Sequence, residues 1–310
     1  MRTVFLGTPE FAVPSLNALV SAGHDIIAVF TQPDRPKGRG GQLAASPVKI
    51  AASSLRVPIY QPERIRRPEN VELLRNFEPE MMVVVGYGQI IPQAIIDIPA
   101  RGILNVHASL LPKYRGAAPI QWAIANGETE TGVTIMQIDA GLDTGDMLLK
   151  ETLAIGADET APELSARLAP AGASLLIRAI EQIRNGTGAR QKQEAEATFA
   201  PILKKEDGVI DWRRPAQQIY NRLRAFTPWP GAYTSFQGQQ LSVLRAGMAP
   251  RMNLAPGSLH IEQRRLFAGA GDNTALELLE VQLAGKKRMT AEAFVNGYRP
   301  PDGTRLGETE

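Results

Sequence analysis

The first half of the chain alternates short, largely apolar runs with segments in which apolar residues recur every three or four positions. The run at 81–85 has five consecutive apolar residues, three of them valines, and runs with at most two polar residues each lie at 3–6, 26–30, 103–106 and 133–138. Strands that are apolar on both faces are typical of a parallel sheet covered by helices on both sides. The pattern therefore predicts an α/β fold with a doubly wound, mostly parallel sheet, as in Rossmann-like domains.

The second half has a different pattern. Apolar residues from Leu164 to Ile183 recur at helical spacing, and Pro170 within them predicts a kink or break. Short strand-like runs then lie between Gly, Pro and Asn residues, which favours a small OB-like β-barrel with a helix near 217–225. The runs occupy 232–236, 240–246, 258–261 and 275–281. We predict domains at 1–186 and 207–310, joined by a polar linker at 187–206.

Composition excludes several classes of protein. The chain of 310 residues has no Cys and three His, which excludes disulfides, thiolate metal sites and Cys nucleophiles, and we expect no metal. No apolar stretch approaches the ~20 residues of a membrane helix, and the N-terminus lacks the apolar core of a signal peptide. We expect a cytoplasmic protein that does not bind membranes.

Charge is divided unevenly along the chain. The whole chain carries 34 Lys and Arg against 32 Asp and Glu, a net charge of +2. Residues 204–310 hold 15 basic and 11 acidic residues, so the second half is basic and the first acidic. This division favours a polyanionic partner for the second domain, although chance distribution of surface charge explains it equally well.

The usual nucleotide and nucleophile motifs are missing. The first strand is followed by Gly7-Thr8-Pro9 rather than the glycine fingerprint of dinucleotide-binding domains. The sequence also contains no P-loop and no G-x-S-x-G motif. A nicotinamide oxidoreductase and a serine-dependent hydrolase are therefore disfavoured.

Asn105, His107 and Asp143 form the most informative set of polar residues. Asn105 and His107 are two positions apart near the end of a predicted strand, so they share one face. Asp143 follows another predicted strand. A single His at a strand end is more often structural than catalytic, but an amide, an imidazole and a carboxylate together can stabilise an oxyanion and move a proton.

Four segments carry a resemblance to a known family. They are FLGTPEFAVPSL, TQPDRPKGRG, NVHASLLPKYRGAAPIQWAI and TGVTIMQIDAGLDTGDML. These segments closely resemble the methionyl-tRNA formyltransferases, and the resemblance spans nearly the whole chain. The Asn-x-His and Leu-Asp-Thr-Gly-Asp elements are common to folate-dependent formyltransferases, so they specify donor and chemistry rather than acceptor.

The resemblance implies transfer of a formyl group from 10-formyltetrahydrofolate to the α-amine of initiator methionyl-tRNA through a tetrahedral intermediate. Asn105 and His107 would stabilise the oxyanion, and Asp143 would orient His107. The implied folate-binding residues are Ser109, Leu110, Leu111, Pro112, Tyr87, Gly88, Ile90, Ile91, Ile138, Asp139, Ala140 and Gly141. Ordinary core packing is the other explanation for Leu110 and Leu111.

The resemblance also implies residues that contact tRNA. They are Arg35, Lys37, Arg39, Lys286, Lys287 and Arg288. Residues 33–41 are too rich in Gly and Pro to predict a helix or strand, and in the related enzymes this loop enters the acceptor stem. Several relatives have a Lys pair after Gly-Arg-Gly, whereas this chain has Gly41 and Gln42. This difference predicts a weaker phosphate contact for the loop and a larger contribution from the C-terminal domain.

Two other functions are compatible with parts of the sequence. A formyltransferase acting on an amino-sugar nucleotide or another small amine would need the same donor site but no basic loop. A catalytically silent RNA-binding protein would not need Asn105, His107 and Asp143. We expect a monomer that binds initiator methionyl-tRNA and folate.

Overall fold

The computed structural model describes residues 1–37, 42–194 and 196–307, excluding the side chains of Lys37 and Gln42. The chain divides into two compact units. The first comprises Met1–Pro119, Glu130–Ala154 and Glu163–Pro201, and the second comprises Ile120–Thr129, Ile155–Pro162 and Ile202–Glu310. The domain boundaries proposed from the sequence stay a prediction.

The secondary structure follows the α/β order of the sequence pattern and then becomes mainly β. The strands are β1 (Arg2–Gly7), β2 (Asp25–Phe30), β3 (Arg35–Lys37), β4 (Gln42–Ala44), β5 (Ile59–Tyr60), β6 (Met81–Val85), β7 (Ile103–His107), β8 (Arg115–Gly116), β9 (Glu130–Gln137), β10 (Met147–Ala154), β11 (Phe199–Ala200), β12 (Ala232–Phe236), β13 (Gln239–Met248), β14 (Leu259–Glu262), β15 (Arg265–Ala270), β16 (Thr274–Leu283) and β17 (Met289–Thr290). The α-helices are α1 (Val13–Ser21), α2 (Pro47–Ser54), α3 (Pro68–Asn76), α4 (Gln93–Ile96), α5 (Pro119–Ala125), α6 (Ala161–Asn185), α7 (Ala216–Ala225) and α8 (Ala291–Tyr298).

A seven-stranded sheet in the order β10-β9-β7-β6-β1-β2-β5 forms the centre of the first unit. Strands β7, β6, β1, β2 and β5 are parallel, and β9 and β10 run antiparallel to their neighbours. All five residues of β6 are buried, as the apolar run predicts. Helices cover such strands on both faces, and the predicted α/β fold is confirmed.

Hydrogen bonds connect the loops at the carboxyl edge of this sheet. Thr8 Oγ donates to Tyr87 O at 3.1 Å, and Gln32 Nε2 donates to the same oxygen at 3.1 Å. These bonds join the loops that follow β1, β2 and β6. Because β7 is parallel to β6, its last residue, His107, lies at the same edge, where ligands bind in open α/β sheets.

The expectation that residues 33–41 contain no strand is wrong. β3 pairs with β4 in an antiparallel ribbon, with Arg35 opposite Ala44. Pro36 is tolerated because a two-stranded ribbon has free edges, where a residue without an N–H can face outward. Helix α2 then begins at Pro47, with Ser46 Oγ accepting a hydrogen bond from Lys49 N at 3.1 Å.

Helix α6 runs from Ala161 to Asn185 through Pro170, so the expected break does not occur. Leu164, Leu168, Leu175 and Leu176 are fully buried along its length. Burying one such side chain stabilises by about 1.5–3 kcal/mol, and an internal proline costs about 3 kcal/mol. Burial along the whole face therefore outweighs the proline.

Part of the predicted linker is paired with the first unit. Gln191 forms an antiparallel bridge with Met147, and β11 pairs in parallel with β8. The polar composition of this segment does not reveal these contacts, because they use backbone groups rather than apolar side chains.

The second unit contains an antiparallel sheet in the order β12-β13-β16-β15-β14, with β17 paired to β16. Its core includes Phe236 and Phe294, whose ring centroids are 5.1 Å apart. Helix α7 lies where the sequence predicts a helix, and the small β domain is confirmed. The sequence pattern missed β15, whose Gly269 interrupts the apolar run. In the part of the chain that the structure describes, no helix combines the length and apolar character needed to span a membrane.

Candidate active site

β7 carries two of the three predicted catalytic residues at its carboxyl end. Asn105 is half-buried, and His107 is 5% exposed. The His107 Nε2 atom lies 2.9 Å from the carbonyl oxygen of Tyr114. Because a carbonyl only accepts hydrogen bonds, this contact places a proton on Nε2 and leaves Nδ1 facing the other polar groups.

Asp143 lies between these two side chains and the backbone of β8. Its Oδ1 is 3.5 Å from Asn105 Nδ2, and its Oδ2 is 3.7 Å from His107 Nδ1. Gly116 N donates to Oδ2 at 2.8 Å. The fold therefore brings together an amide donor, an imidazole and a carboxylate that are separated by up to 38 residues in sequence.

The first set of implied folate residues, at 109–112, lies in a hydrogen-bonded turn just after β7. Ser109 and Leu111 are buried. Lys150 Nζ donates to Leu111 O at 2.5 Å, and burial lowers the pKa of this ammonium. Leu110 and Pro112 are half-buried, so they retain surface for a ligand.

The second set of implied folate residues lies just after β6. Tyr87 is buried, its hydroxyl has no hydrogen-bond partner among the described residues, and burial raises its pKa. Gly88 has a φ of 83°, a conformation that favours glycine. Ile90 is 88% exposed, and Ile91 is buried. The segment thus offers both a buried polar atom and an exposed apolar side chain.

The third set follows β9. Ile138 is half-buried against the core of the first unit, whereas Asp139, Ala140 and Gly141 are exposed. Asp139 Oδ1 accepts from Gly141 N at 3.0 Å and from Thr144 Oγ at 2.7 Å. These bonds fold the chain into the turn that also carries Asp143.

The residues implied to contact tRNA lie in two places. Arg35 is exposed on β3, the backbone of Lys37 ends that strand, and Arg39 lies outside the described residues. Lys286, Lys287 and Arg288 are exposed in the turn between β16 and β17. Arg35 in the first place and all three cations in the second are exposed to solvent, as phosphate contacts require.

Both parts of the chain match the formyl transferase family. Residues 1–180 match the formyl transferase domain, and residues 202–299 match the formyl transferase C-terminal domain. The methionyl-tRNA formyltransferase of Solibacter usitatus is 57% identical over 310 residues, covering 99% of both chains. That of Koribacter versatilis is 58% identical over 309 residues, again covering 99% of both chains. This chain belongs to the methionyl-tRNA formyltransferase family.

Solved structures share the fold of this methionyl-tRNA formyltransferase family member at lower identity. A sugar 3N-formyl transferase, WlaRD, determined in the presence of dTDP and 5-N-formyl-THF, is 20% identical with a TM-score of 0.69, covering 93% of this chain and 99% of its own. HypX from Aquifex aeolicus, in complex with tetrahydrofolic acid, is 16% identical with a TM-score of 0.65, covering 97% of this chain and 48% of its own. At these identities the likeness shows the fold alone.

Sequence reasoning missed the residues that hold this family member's candidate site in place. Gln193, in the predicted linker, donates from Nε2 to Asp143 O at 2.7 Å and to Gly145 O at 2.8 Å. Thr198 Oγ accepts from Tyr114 N at 2.9 Å. No local pattern marks these residues, because a polar residue in a polar segment is also typical of a solvated linker.

Proposed function

We propose that this protein transfers a formyl group from 10-formyltetrahydrofolate to the α-amine of methionine on initiator tRNA, giving formylmethionyl-tRNA for translation initiation. The observation that carries the proposal is the meeting of Asn105, His107 and Asp143 at the carboxyl edge of the sheet. It stands in a chain that aligns with methionyl-tRNA formyltransferases over 99% of its length.

The residues around this edge fit a folate. A pterin ring combines apolar faces with polar edges. The chain provides exposed Ile90 and the buried hydroxyl of Tyr87, which has no hydrogen-bond partner within the described part of the chain. The exposed turn at 139–141 adds backbone groups. The folate supplies a formyl carbon already activated for transfer.

The three polar side chains then divide the work of the transfer. The Asn105 amide donates a hydrogen bond to the formyl oxygen as negative charge develops on it. His107 Nδ1, the ring nitrogen that does not bind Tyr114 O, accepts the proton released by the attacking amine and then donates to the oxyanion. It returns this proton to the departing N10 nitrogen as the intermediate collapses to formylmethionyl-tRNA and tetrahydrofolate. Asp143 holds the imidazole in orientation and stabilises positive charge on it.

The basic residues would contact the tRNA that accepts the formyl group. Arg35, Lys37 and Arg39 would contact the acceptor end of the tRNA, and the Lys286–Arg288 turn would contact its phosphate backbone.

We further propose that the protein acts as a monomer in the cytoplasm. Light scattering of the purified protein would give the mass of one chain.

A formylation assay tests the function. The protein and 10-formyltetrahydrofolate are mixed with initiator methionyl-tRNA, free methionine or a dTDP-linked amino sugar, and product is measured by mass spectrometry. We expect formylation of the tRNA-linked methionine alone. Product from the amino sugar and none from the tRNA would instead assign the chain to a small-amine formyltransferase.

A further inference from the structure

Gln193 uses its whole side-chain amide to bind parts of the candidate active site. Its Oε1 accepts from Arg115 Nε at 3.0 Å and from Arg115 Nη2 at 2.7 Å. Its Nε2 donates to Asp143 O and Gly145 O. A primary amide has two donor hydrogens and two acceptor lone pairs, so every position is filled. Arginine only donates and carbonyls only accept, so the orientation of the amide is fixed.

The turn held by Gln193 is the one that aims the Asp143 carboxylate. Asp143 has a φ of 50°, in the left-handed region that non-glycine residues adopt less readily. A Cβ atom on Gly145 would lie 1.8 Å from Gln137 O, so the turn returns tightly against β9. Hydrogen bonds to the carbonyls of residues 143 and 145 fasten the chain on the C-terminal side of the Asp143 Cα.

The partner of Gln193, Arg115, belongs to the same short strand that binds the carboxylate. The next residue, Gly116, donates its N–H to Asp143 Oδ2 at 2.8 Å. Arg115 N in turn donates to Thr198 O at 2.9 Å, and β8 pairs with β11. The segment around Gln193 therefore fixes both the backbone of Asp143 and the strand that its carboxylate binds.

We propose that Gln193 is a positioning residue for formyl transfer, which holds the Asp143 carboxylate opposite His107 by fastening its turn to β8. The proposal rests on the proposed function, since it concerns the geometry of that reaction. Asp143 Oδ2 and His107 Nδ1 are 3.7 Å apart, and a displacement of about 1 Å in a catalytic group can lower a rate by up to about 100-fold. The hydrogen bonds of Gln193 go to Arg115 and to the turn of Asp143 rather than to His107 or Asn105, so Gln193 acts through the Asp143 carboxylate.

Two substitutions at Gln193 and one control test the proposal. Gln193→Ala removes the amide. Gln193→Glu keeps the size and the acceptor for Arg115 but places a carboxylate, which cannot donate, against two carbonyl oxygens. Gln191→Ala is the matched control, because the Gln191 side chain is exposed and its bridge to Met147 uses only backbone groups.

We expect both Gln193 variants to lower kcat for methionyl-tRNA formylation by about 10- to 100-fold, with KM for folate and tRNA changed less than twofold. Gln191→Ala should match the wild type. Wild-type kcat in Gln193→Glu would show that only the contact with Arg115 matters and would overturn the proposal. A rise in KM without a fall in kcat would overturn it as well.

Histidine NMR separates this inference from the proposed function. The chain has three His, so a spectrum of ring-labelled protein has one signal each for His24, His107 and His260. In either Gln193 variant the His107 signal should move while the other two stay, and this measurement needs no substrate. Three unmoved signals would overturn the positioning role. An inactive wild type would count against the proposed function and leave the NMR result valid.

Discussion

The Asp143 carboxylate divides its two oxygens between the two polar residues of β7. Oδ1 faces the Asn105 amide, and Oδ2 faces the imidazole of His107 while accepting a hydrogen bond from Gly116 N. The hydrogen bond from Gly116 N thus fixes the position of the carboxylate. The negative charge of the carboxylate faces the buried imidazole ring of His107. This arrangement makes charge, rather than shape, the property to remove by mutation.

Asp143→Asn should lower turnover by about 10²–10³-fold, about 2.7–4 kcal/mol in the barrier, as loss of one stabilising group in an oxyanion site does. The amide keeps the shape and one acceptor but removes the charge opposite His107. Steady-state formylation kinetics measure the effect. Asp25→Asn, an exposed aspartate of β2, is the control and should keep full activity.

Asn105→Ala combined with Asp143→Asn should cost less than the sum of the single losses, because groups that act on one transition state are not additive. Strict additivity, or normal turnover of folded Asp143→Asn, would remove these residues from the reaction.

A side chain at position 116 would disturb the backbone of Gly116. Its φ is 124°, and an added Cβ would lie 2.6 Å from Ala200 O. Gly116→Ala should therefore destabilise the first unit by about 1–3 kcal/mol and weaken the hydrogen bond to Asp143. Urea unfolding followed by circular dichroism gives the loss of stability.

Gly23→Ala provides the comparison, because Gly23 lies in the same unit with a φ of 77° but has no atom within 4 Å of an added Cβ. It should cost less stability than Gly116→Ala and leave formylation unchanged. Equal costs at the two positions would show that contact with Ala200 is unimportant.

At the scale of elements, the segments that connect helices and strands supply contacts that hold the candidate active site in place. The segment from Gln191 to Ala200 is polar, yet it pairs with β8 and binds the Asp143 turn.

The loop between α1 and β2 contains a histidine in an unusual environment. His24 lies there, with its Nδ1 buried and without a partner among the described residues.

His24 should make stability depend on pH. Burial, reinforced by the N-terminal ammonium and Arg184, lowers its pKa below 6.5 in the folded chain. The unfolded chain therefore binds the proton more readily, so this contribution to stability is present above about pH 6.5 and is lost as pH falls through the lowered pKa.

The free energy of unfolding, measured in urea at pH 7.5 and pH 5.5, should fall more in the wild type than in His24→Gln. The glutamine does not titrate, so it removes this contribution alone. Parallel changes in the two proteins would show that His24 is not responsible.

The ribbon formed by β3 and β4 brackets Arg39, which lies outside the described residues. Initiator and elongator tRNA carry the same methionine, so the enzyme has to distinguish them through the RNA. A weak first base pair is cheaper to open, and an Arg can contact phosphates or base edges there.

Arg39→Ala should lower kcat/KM for initiator tRNA by about 10-fold or more, about 1.4 kcal/mol. KM for the folate donor is the internal control and should not change. Full activity of the variant on initiator tRNA would place tRNA selection in another part of the chain.

At the scale of the whole molecule, the small net charge of +2 conceals a basic second half. Each unit has its own buried core, so the charge on one surface can change without affecting the packing of the other. The exposed turn at Lys286, Lys287 and Arg288 concentrates three cations in adjacent positions.

Reversing these three residues to Glu should weaken tRNA binding and flatten its dependence on salt. Each phosphate contact contributes roughly 0.7–0.9 to the slope of log affinity against log salt concentration, so the slope should fall by about 1–3. Filter binding from low to high salt measures it, with folate affinity as the control. An unchanged slope would identify the turn as an ordinary solvated surface.

The sequence by itself determined the fold class and named the three candidate catalytic residues, but not the residues that hold them in place. Periodic burial is a local property, so the apolar run of β6 and the spacing of Asn105 and His107 predict a buried parallel strand and a shared face. The chemistry of the polar residues also selected Asp143, and the family resemblance assigned it a role. Where local preference and burial disagreed, as at Pro170 in α6, the sequence pattern misled because the cost of a proline is local while the compensating burial is spread along the helix.

Only the tertiary structure decided which distant polar groups meet. Gln193 binds a carbonyl 50 residues away, and Gly116 reaches Asp143 across 27 residues. Such contacts depend on the path of the chain and on backbone groups that every residue possesses, so no residue pattern encodes them. The distance of 3.7 Å between Asp143 and His107 is set in this way, by hydrogen bonds between segments rather than by the motif that names either residue.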